Sequence, residues 1–218
     1  MSLKKQLRYL RNKIQFLFRL KEIHLFRQWF YPDVSIFSMN CFGGHIYQDL
    51  HWKYNSPTAG LFFFADDFCS ILEDISILKR QVFFKSHSKW DLANKKMQAR
   101  PHIYPIGYFQ GTDIEIHFLH YHTEEEALSK WNKRMRRFNF DRFIAIGFQQ
   151  NLCTIHTLKR FSNLSLSNKC FFCNQDLGFS SVIYIKEFRG KDESPDPYKY
   201  VNIYYRYLAG YLKNNPIS

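Results

Sequence analysis

The chain has 218 residues, of which 45% are hydrophobic and 23% charged, which supports a sizeable core and excludes a wholly disordered protein. Lys and Arg outnumber Asp and Glu by 31 to 19, and the net charge of +12 predicts anionic partners such as phosphorylated ligands or an acidic membrane surface. No apolar run approaches the roughly 20 residues that span a bilayer. No signal-peptide pattern opens the chain and its five cysteines are irregularly spaced, so we expect a cytoplasmic protein with free thiols.

The first 30 residues concentrate positive charge, with eight Lys or Arg and a single acid, Glu22. Apolar residues recur there at helical spacing, namely at Leu3, Leu7, Leu10, Ile14 and Leu17. This pattern predicts a basic amphipathic helix over residues 3–29, in an arm (1–31) that precedes a single α/β domain (32–218). We expect the arm to lie on the anionic inner face of the cell membrane. Packing against the protein's own domain or a second subunit is the alternative.

The rest of the chain alternates between strand and helix patterns. Its first half predicts a strand over Val34–Met39, a helix over His45–Leu50, a strand over Leu61–Phe64, a helix over Phe68–Leu78 and a strand over Gln81–Lys85. A polar, irregular stretch (Ser86–Arg100) follows. The second half then predicts a hairpin of Ile103–Tyr108 and Ile114–His120 and a helix from the capping box at Thr123 to about Phe138. It ends with a strand over Phe143–Gly147, a helix over Asn151–Phe161, strands over Lys169–Phe172 and Val182–Ile185, and a helix over Tyr198–Leu212. We therefore expect an α/β fold with a layered, mostly parallel sheet flanked by helices and a β-hairpin insertion.

The segment Asn40–Gly44 stands where a predicted strand ends and a helix begins. A thiol at that position, Cys41, is expected to feel the positive end of the helix dipole, which lowers its pKa. The amides of Gly43 and Gly44 are expected to form a nest for an oxyanion or a phosphate, beside Asn40. The alternative is a buried, unreactive cysteine next to a glycine turn.

A nucleophilic cysteine needs a base, and His120 is the first candidate because it lies near the end of a predicted strand and could face the same crevice as Cys41. The opposite face of that strand carries Asp113, Glu115 and His117. His117 is a further candidate base, either acid could orient a histidine, and His45 lies one helical turn beyond Cys41. We expect Cys41 to be the most reactive of the five thiols.

One further candidate ligand site follows from the charge pattern. The predicted helix from Thr123 to Phe138 is basic at its end, and Arg134 and Arg137 could hold phosphates, although a dipole-matched surface explains the same pattern. No P-loop or G-x-G-x-x-G pattern is present. No metal site is expected, because the histidines at 117, 120 and 122 split between two faces of a strand and Cys170-x-x-Cys173 has no second pair.

Several blocks of the sequence resemble one bacterial family. These blocks are Ser38–Gly44 (S-M-N-C-F-G-G), Tyr54–Leu61 (Y-N-S-P-T-A-G-L), Tyr104–Gly107 (Y-P-I-G) and Asp113–Tyr121 (D-I-E-I-H-F-L-H-Y). The chain resembles the capsule or exopolysaccharide biosynthesis proteins, whose signature reads like S-N-N-C-W-G-G and Y-N-T-P-T-V-G-L-F. Met39 stands where that family often has Asn, and Phe42 where it often has Trp. The resemblance implies an α/β fold and a place in surface-polysaccharide assembly, and supplies no reaction.

These observations together favour an acyltransferase that uses Cys41 and a histidine to modify a glycan or its lipid-linked precursor, with acyl-CoA as a possible donor. A non-catalytic glycan-binding or assembly factor at the membrane is one alternative. A sugar or phospho-sugar transferase is another, although Asp66 and Asp67 are a poor substitute for a D-x-D metal motif. Nucleic acid is not an expected partner because no nucleic-acid motif accompanies the charge. The oligomeric state stays open.

Overall fold

The structure is a computed structural model that describes residues 6, 13–14, 16–99 and 102–217. Its helices, in chain order, are α1 (Leu20–Trp29), α2 (Phe42–Leu50), α3 (Ala65–Glu73), α4 (Asp91–Gln98), α5 (Glu124–Met135), α6 (Ile155–Asn163) and α7 (Val201–Asn214). Its strands are β1 (Ser35–Ser38), β2 (Val82–Lys85), β3 (Ile106–Phe109), β4 (Glu115–His117), β5 (Phe143–Phe148), β6 (Lys169–Cys173) and β7 (Val182–Tyr184). Two short 3-10 helices cover Ile75–Lys79 and Lys186–Phe188.

The strands form two sheets, and the predicted α/β fold is confirmed. A four-stranded parallel sheet has the order β1-β5-β6-β7, and a three-stranded antiparallel sheet has the order β2-β3-β4. The second sheet contains the predicted hairpin, in which β3 and β4 pair with Ile106 opposite His117. The segment between α2 and α3 joins the sheets, because Phe62 bridges His117 and the N–H of Phe63 donates to the carbonyl of Met39.

Aromatic side chains pack the helices against both faces of the parallel sheet. On one face, Phe37 of β1 stacks on Phe68 of α3 at a ring distance of 5.4 Å. On the other, Phe42 of α2 meets Phe148 and Phe172 of β5 and β6 at 5.3 and 5.7 Å. Because successive strand residues point to opposite faces, these contacts build a three-layer arrangement with the sheet in the middle.

The sheet requires a glycine at the centre of β5. A Cβ atom on Gly147 would lie 2.2 Å from the ring of Phe171 on the neighbouring strand, closer than any side chain tolerates. The Phe171 ring crosses Gly147 and reaches Phe161 of α6 at a ring distance of 4.9 Å. Gly147 therefore creates the space in which this aromatic contact forms.

The structure differs from the predicted elements in three places. Helix α4 (Asp91–Gln98) lies inside the stretch predicted to be irregular, and it buries only Ala93 and Met97, which is too short an apolar pattern to reveal a helix. The segment Leu61–Phe64 makes one isolated bridge instead of a strand. The helix predicted over Phe68–Leu78 ends at Glu73, where the Asp74 side chain accepts from Ser76 and begins a 3-10 turn.

Helix α1 packs into the domain instead of extending from it. Ile23 and Phe26 are buried, and the Phe26 ring lies 5.0 Å from that of Tyr205 in α7. Arg19, just before α1, pairs with Asp49 at 2.7 Å. The second half of the predicted arm is therefore part of the core, as the alternative expectation had it.

The helical residues before α1, of which 13–14 and 16–18 are described, carry exposed apolar side chains at the spacing of one helical face. Ile14 is 45% exposed, Leu17 63% and Phe18 74%. Leu3, Leu7 and Leu10, which complete the predicted apolar stripe, lie outside the described residues. Within the described ranges, no helix is long and apolar enough to cross a membrane.

Candidate active site

Cys41 lies at the carboxyl end of β1 and caps the N-terminus of α2, where the sequence placed it. Its Sγ donates to the carbonyl of Leu61 at 3.5 Å. The backbone of Gly60 also acts on the thiol and lowers its pKa, as an N–H group directed at sulfur does. In open α/β sheets, ligands bind outside the carboxyl ends of the strands, so Cys41 occupies a favourable position for chemistry.

The predicted lowering of the Cys41 pKa by the helix dipole is wrong. Burial is the largest influence on the thiol and raises its pKa to about 11, against the smaller opposing effect of the nearby backbone. Desolvation disfavours the thiolate because the anion loses its hydration while the neutral thiol loses little. At neutral pH, Cys41 is therefore a protonated thiol, and using it as a nucleophile requires a base.

Gly43 and Gly44 serve the packing of α2 on β1. A Cβ atom on Gly43 would lie 3.0 Å from Cγ2 of Ile36, and one on Gly44 would lie 3.5 Å from Cβ of Ala59. Both glycines are buried in this contact. The backbone groups that act on the Cys41 thiol belong to Cys41 itself, Gly60 and Leu61. The nest at Gly43–Gly44 stays a prediction.

His45 is the imidazole that shares a helix with Cys41. It lies one turn further along α2, and its backbone N–H donates to the carbonyl of Cys41 at 3.3 Å. Burial lowers the pKa of His45, with a smaller lowering from the charge of His120. His45 is therefore held as a neutral imidazole, the form that accepts a proton.

His120 approaches the same region from the other sheet. Its backbone N–H donates to the carbonyl of Gly60 at 3.0 Å. Its side chain is exposed and lines an open cleft of about 370 Å³. The other residues of this cleft are His102, Ile103, Tyr104, Leu119, Tyr121 and His122. His120 thus connects the surroundings of Cys41 to a surface that could hold a ligand.

His117 belongs to a separate, fully buried cluster. Its Nε2 lies 3.2 Å from Oε2 of Glu115, and its Nδ1 lies 3.4 Å from the hydroxyl of Tyr104. Its ring stacks on Phe62 at 4.6 Å and meets Phe64 at 5.1 Å. The structure therefore confirms that Glu115 and His117 share a face of β4, but it places them in the protein interior, where His117 cannot serve Cys41.

The carboxylate of Glu115 is the centre of this cluster. It accepts from the Ser88 hydroxyl at 2.5 Å, from the Lys89 backbone at 2.6 Å and from the Lys85 ammonium. Burial would raise the pKa of Glu115, but hydrogen bonds from His117, Lys85 and Lys89 outweigh it and lower the pKa to about 2. The cluster holds residues 85–89 against β4.

The acidic neighbours of Glu115 are also engaged in structural contacts. Asp67 of α3 is buried and accepts from Lys89 at 2.7 Å and from the Trp90 indole at 2.9 Å. Asp113, by contrast, is exposed and pairs with Lys89 at 3.2 Å. Asp66 pairs with Arg160 at 3.3 Å. Among the residues that the structure describes, no group of three or more His, Cys, Asp or Glu side chains could hold a metal ion.

Arg134 and Arg137 both hold the loop that precedes Leu61. Arg134 donates to the carbonyl of Ala59 at 2.6 Å and to the hydroxyl of Tyr121. Arg137 donates twice to the carbonyl of Tyr54, at 2.9 and 2.6 Å. All three guanidinium nitrogens of Arg137 therefore donate to backbone carbonyls, whereas Arg134 makes both of its contacts through Nη1 alone. The phosphate grip stays a prediction, which Arg134 fits better than Arg137.

One wall of the site, the loop over residues 194–198, was not predicted from the sequence. Asn40 donates to the side chain of Gln150 at 3.0 Å, and Gln150 donates to the carbonyl of Ser194 at 2.6 Å. This chain of hydrogen bonds fixes the loop beside α2. The Tyr198 ring lies 5.0 Å from that of His45, and the Tyr198 N–H donates to Asp196 at 2.9 Å.

Asp196 contributes negative charge to both functional groups. It raises the pKa of Cys41 and opposes the lowering of the pKa of His45. Two prolines flank it, Pro195 and Pro197, and prolines stiffen a loop by fixing φ. An acid between two prolines was the signal in the sequence that could have identified this wall.

Comparison with known proteins gives a family and one relative. The family model described as "Domain of unknown function (DUF1919)" matches residues 12–210, most of the chain. A protein of Haemophilus influenzae, named "Uncharacterized protein", is 30% identical over 168 residues, which cover 77% of this chain and 75% of that protein. The region matched by the family model, residues 12–210, includes Cys41, His45, His120 and Asp196.

Proposed function

The chain belongs to the DUF1919 family, and we propose that it is a surface-polysaccharide biosynthesis enzyme that transfers an acyl group through Cys41 to a glycan or its lipid-linked precursor. The observation that carries the proposal is the placing of Cys41 at a strand end with a neutral imidazole, His45, one helical turn away. Asp196 lies near enough to affect the pKa of both. The polysaccharide context comes from the resemblance of Ser38–Gly44 and the later blocks to capsule and exopolysaccharide proteins.

The proposed reaction uses Cys41 twice. His45 takes the Sγ proton as sulfur attacks the carbonyl carbon of an acyl-CoA donor. The bond from that carbon to the sulfur of coenzyme A breaks, and the leaving thiolate takes the proton from the imidazolium of His45. An acceptor hydroxyl then attacks the Cys41 thioester and gives its proton to His45. The Sγ–C bond breaks, and the Cys41 sulfur recovers the proton, so donor and acceptor become coenzyme A and an ester.

We assign the base to His45 in preference to His120, because His45 is on the same helix as Cys41 and burial keeps it neutral by lowering its pKa. His120, which lines the open cleft, would contact the acceptor. His45→Gln should slow formation of the thioester, whereas His120→Gln should mainly slow its transfer. Single-turnover measurement of the two steps separates these roles, and equal loading rates in His45→Gln and the unmodified protein would contradict the assignment.

The test of the proposal is a burst of free coenzyme A. Incubating the protein with acetyl-CoA should release coenzyme A rapidly, in an amount close to that of the protein, before any acceptor is added. Cys41→Ser should abolish the burst. Cys153→Ser is the matched control, because Cys153 is the other partly exposed thiol and should leave the burst unchanged. Absence of a burst from the unmodified protein with a panel of acyl-CoA donors would contradict acyl transfer.

A non-catalytic glycan-binding factor is the second candidate, and the cleft beside His120 favours it. Exposed His102, His120 and His122 line this cleft, and an imidazole combines an aromatic face with hydrogen-bonding nitrogens. Saccharide binding by a protein that shows no burst would support this role over the enzyme. A sugar or phospho-sugar transferase would instead release a nucleotide from a sugar-nucleotide donor.

We also propose that the protein lies peripherally on the inner face of the cell membrane, where lipid-linked precursors would be reached. Exposed Leu17 and Phe18 provide apolar contact area, and exposed Lys21 follows them in the first turn of α1. Each basic side chain near an anionic surface adds about 1 kcal/mol of attraction. The net charge of +12 would also attract the phosphates of an acyl-CoA donor.

A further inference from the structure

One backbone peptide next to Cys41 is fixed by two side-chain donors. The carbonyl of Ala59 accepts from the Tyr121 hydroxyl at 2.7 Å and from the Arg134 guanidinium at 2.6 Å. Arg134 also donates to the hydroxyl of Tyr121, so the three groups form a closed set. Tyr121 is buried, which protects these hydrogen bonds from water.

Fixing the carbonyl of Ala59 also fixes the N–H of Gly60. In a trans peptide, the C=O and the N–H of the same unit point in opposite directions. With its carbonyl held by Arg134 and Tyr121, the Ala59–Gly60 peptide presents its N–H on the opposite side. Cys41 lies beside this peptide, because its thiol donates to the carbonyl of Leu61 at 3.5 Å and the backbone of Gly60 lowers its pKa.

The residue at position 60 must be a glycine for this arrangement. Its φ of +84° lies in the region that favours glycine, and a Cβ atom would lie 3.1 Å from Cε2 of Tyr121. Tyr121 therefore makes two contacts with the same peptide, through its hydroxyl to Ala59 and through its ring against Gly60.

The positive charge of Arg134 at the Ala59 carbonyl also makes the Gly60 N–H a stronger hydrogen-bond donor. Hydrogen bonds in a chain polarise one another, and those from an ionised donor are the stronger ones. The guanidinium of Arg134 draws electron density toward the oxygen of Ala59, which makes the N–H of Gly60 a better donor. Arg137 holds the same loop at a different carbonyl, that of Tyr54, which lies five residues before Ala59.

We propose that Arg134 and Tyr121 are positioning residues that aim and polarise the Ala59–Gly60 peptide, so that the Gly60 N–H stabilises negative charge developing at Cys41. In the free protein that charge is the thiolate. In acyl transfer it is the oxyanion formed beside the Cys41 sulfur, and this part of the inference rests on the proposed function.

The test is the pH dependence of Cys41 alkylation by iodoacetamide, followed by peptide mapping, which needs no acyl donor or glycan. Tyr121→Phe removes the hydroxyl, and Arg134→Met removes the charge. Each should raise the apparent pKa of Cys41, and a rise of one unit lowers the alkylation rate about tenfold at any pH well below that pKa. Arg134→Lys, which keeps a positive charge, should give a smaller rise.

Arg137→Met is the matched control, because it releases the same loop at a different carbonyl. It should leave the apparent pKa of Cys41 unchanged. Equal shifts in Arg134→Met and Arg137→Met would overturn the inference and leave both arginines with the same anchoring role. No shift in a folded Tyr121→Phe protein would also overturn it, even if Arg134→Met fails to fold. The outcome is independent of the coenzyme A burst, so failure of the acyl-transfer proposal would be seen separately.

Discussion

At Cys41, two opposing physical effects act on one side chain. The sequence placed the thiol at a helix N-terminus, where backbone N–H groups favour the anion. Its burial depends on residues far along the chain, among them Gly60 and Tyr121, which surround the thiol only after folding. The position of Cys41 could therefore be predicted from the sequence, but the direction of its pKa shift could not.

Glu115 gives a prediction about stability and pH. Its pKa in the folded protein is about 2, below the ordinary 4.5, so its contribution to stability is fully present above about pH 4.5 and is lost as the pH falls toward 2. Glu115→Gln should lower the free energy of unfolding by about 3–5 kcal/mol at pH 7, because it leaves buried donors without their anion. Urea unfolding at several pH values measures this difference, which should shrink below pH 4.5.

Asp113→Asn is the control for Glu115→Gln. The Asp113 carboxylate is 85% exposed, and an exposed ion pair contributes about 0–1 kcal/mol, so its removal should change stability little at any pH. A loss in Glu115→Gln that is the same at pH 2 and pH 7 would show that lost packing, and not lost charge, causes it.

Two glycines should respond in opposite ways to the same substitution. Gly147→Ala places a Cβ atom 2.2 Å from Cδ2 of Phe171 and should destabilise the protein by about 1–3 kcal/mol. Gly210→Ala, in the middle of α7, meets no atom within 4 Å and should stabilise it by up to about 1 kcal/mol. Thermal unfolding of the two variants decides the point, and similar changes in both would contradict the packing of β5 against β6.

At the scale of elements, the aromatic face of α1 gives the clearest prediction. Phe26 is fully buried, 5.5 Å from the ring of Phe30 and 5.0 Å from that of Tyr205. Phe26→Ala should therefore cost about 3–5 kcal/mol, as for other large core side chains. Denaturant unfolding measures this cost. A value near zero would contradict the packing of α1 in the core.

The exposed apolar side chains of the helical residues before α1 should bind membranes without contributing to folding. Replacing Ile14, Leu17 and Phe18 together by Ser should leave the melting temperature nearly unchanged, since all three are exposed. Flotation with anionic vesicles should decrease in this variant and should weaken with salt for the unmodified protein. Removing residues 1–29 is an unsuitable test because it also removes Phe26. Equal flotation of both proteins would contradict the anchor.

Strong periodic patterns allowed most elements to be predicted, and weak or interrupted ones did not. The T-x-x-E pattern at Thr123 located the start of α5, because the Thr123 hydroxyl accepts from the N–H of Glu126. The Glu126 carboxylate accepts from the N–H of His122 instead of that of Thr123, so only half of the capping box forms. Helix α4 has two buried residues and gave no comparable signal. The break at Asp74 depends on a local side-chain hydrogen bond that competes with the helix, which apolar periodicity does not report.

At the scale of the whole molecule, the site is assembled from segments that are distant in sequence. Cys41 and His45 come from α2, Gly60 from the segment between the sheets, His120 from the end of the hairpin, and Asp196 from the loop before α7. The first two are four residues apart and could be paired by helical spacing. The others meet them only through the pairing of the two sheets and the hydrogen bonds of Gln150, which no local pattern predicts.

The central claim, that Cys41 carries an acyl group, is tested most directly by locating that group in the folded protein. After incubation with radiolabelled acetyl-CoA, peptide mapping would show which of the five cysteines carries the label. We predict that the label lies on Cys41, is released by neutral hydroxylamine as a thioester is, and is absent from Cys41→Ser. Label that is spread over other thiols, or that persists in Cys41→Ser, would contradict the account.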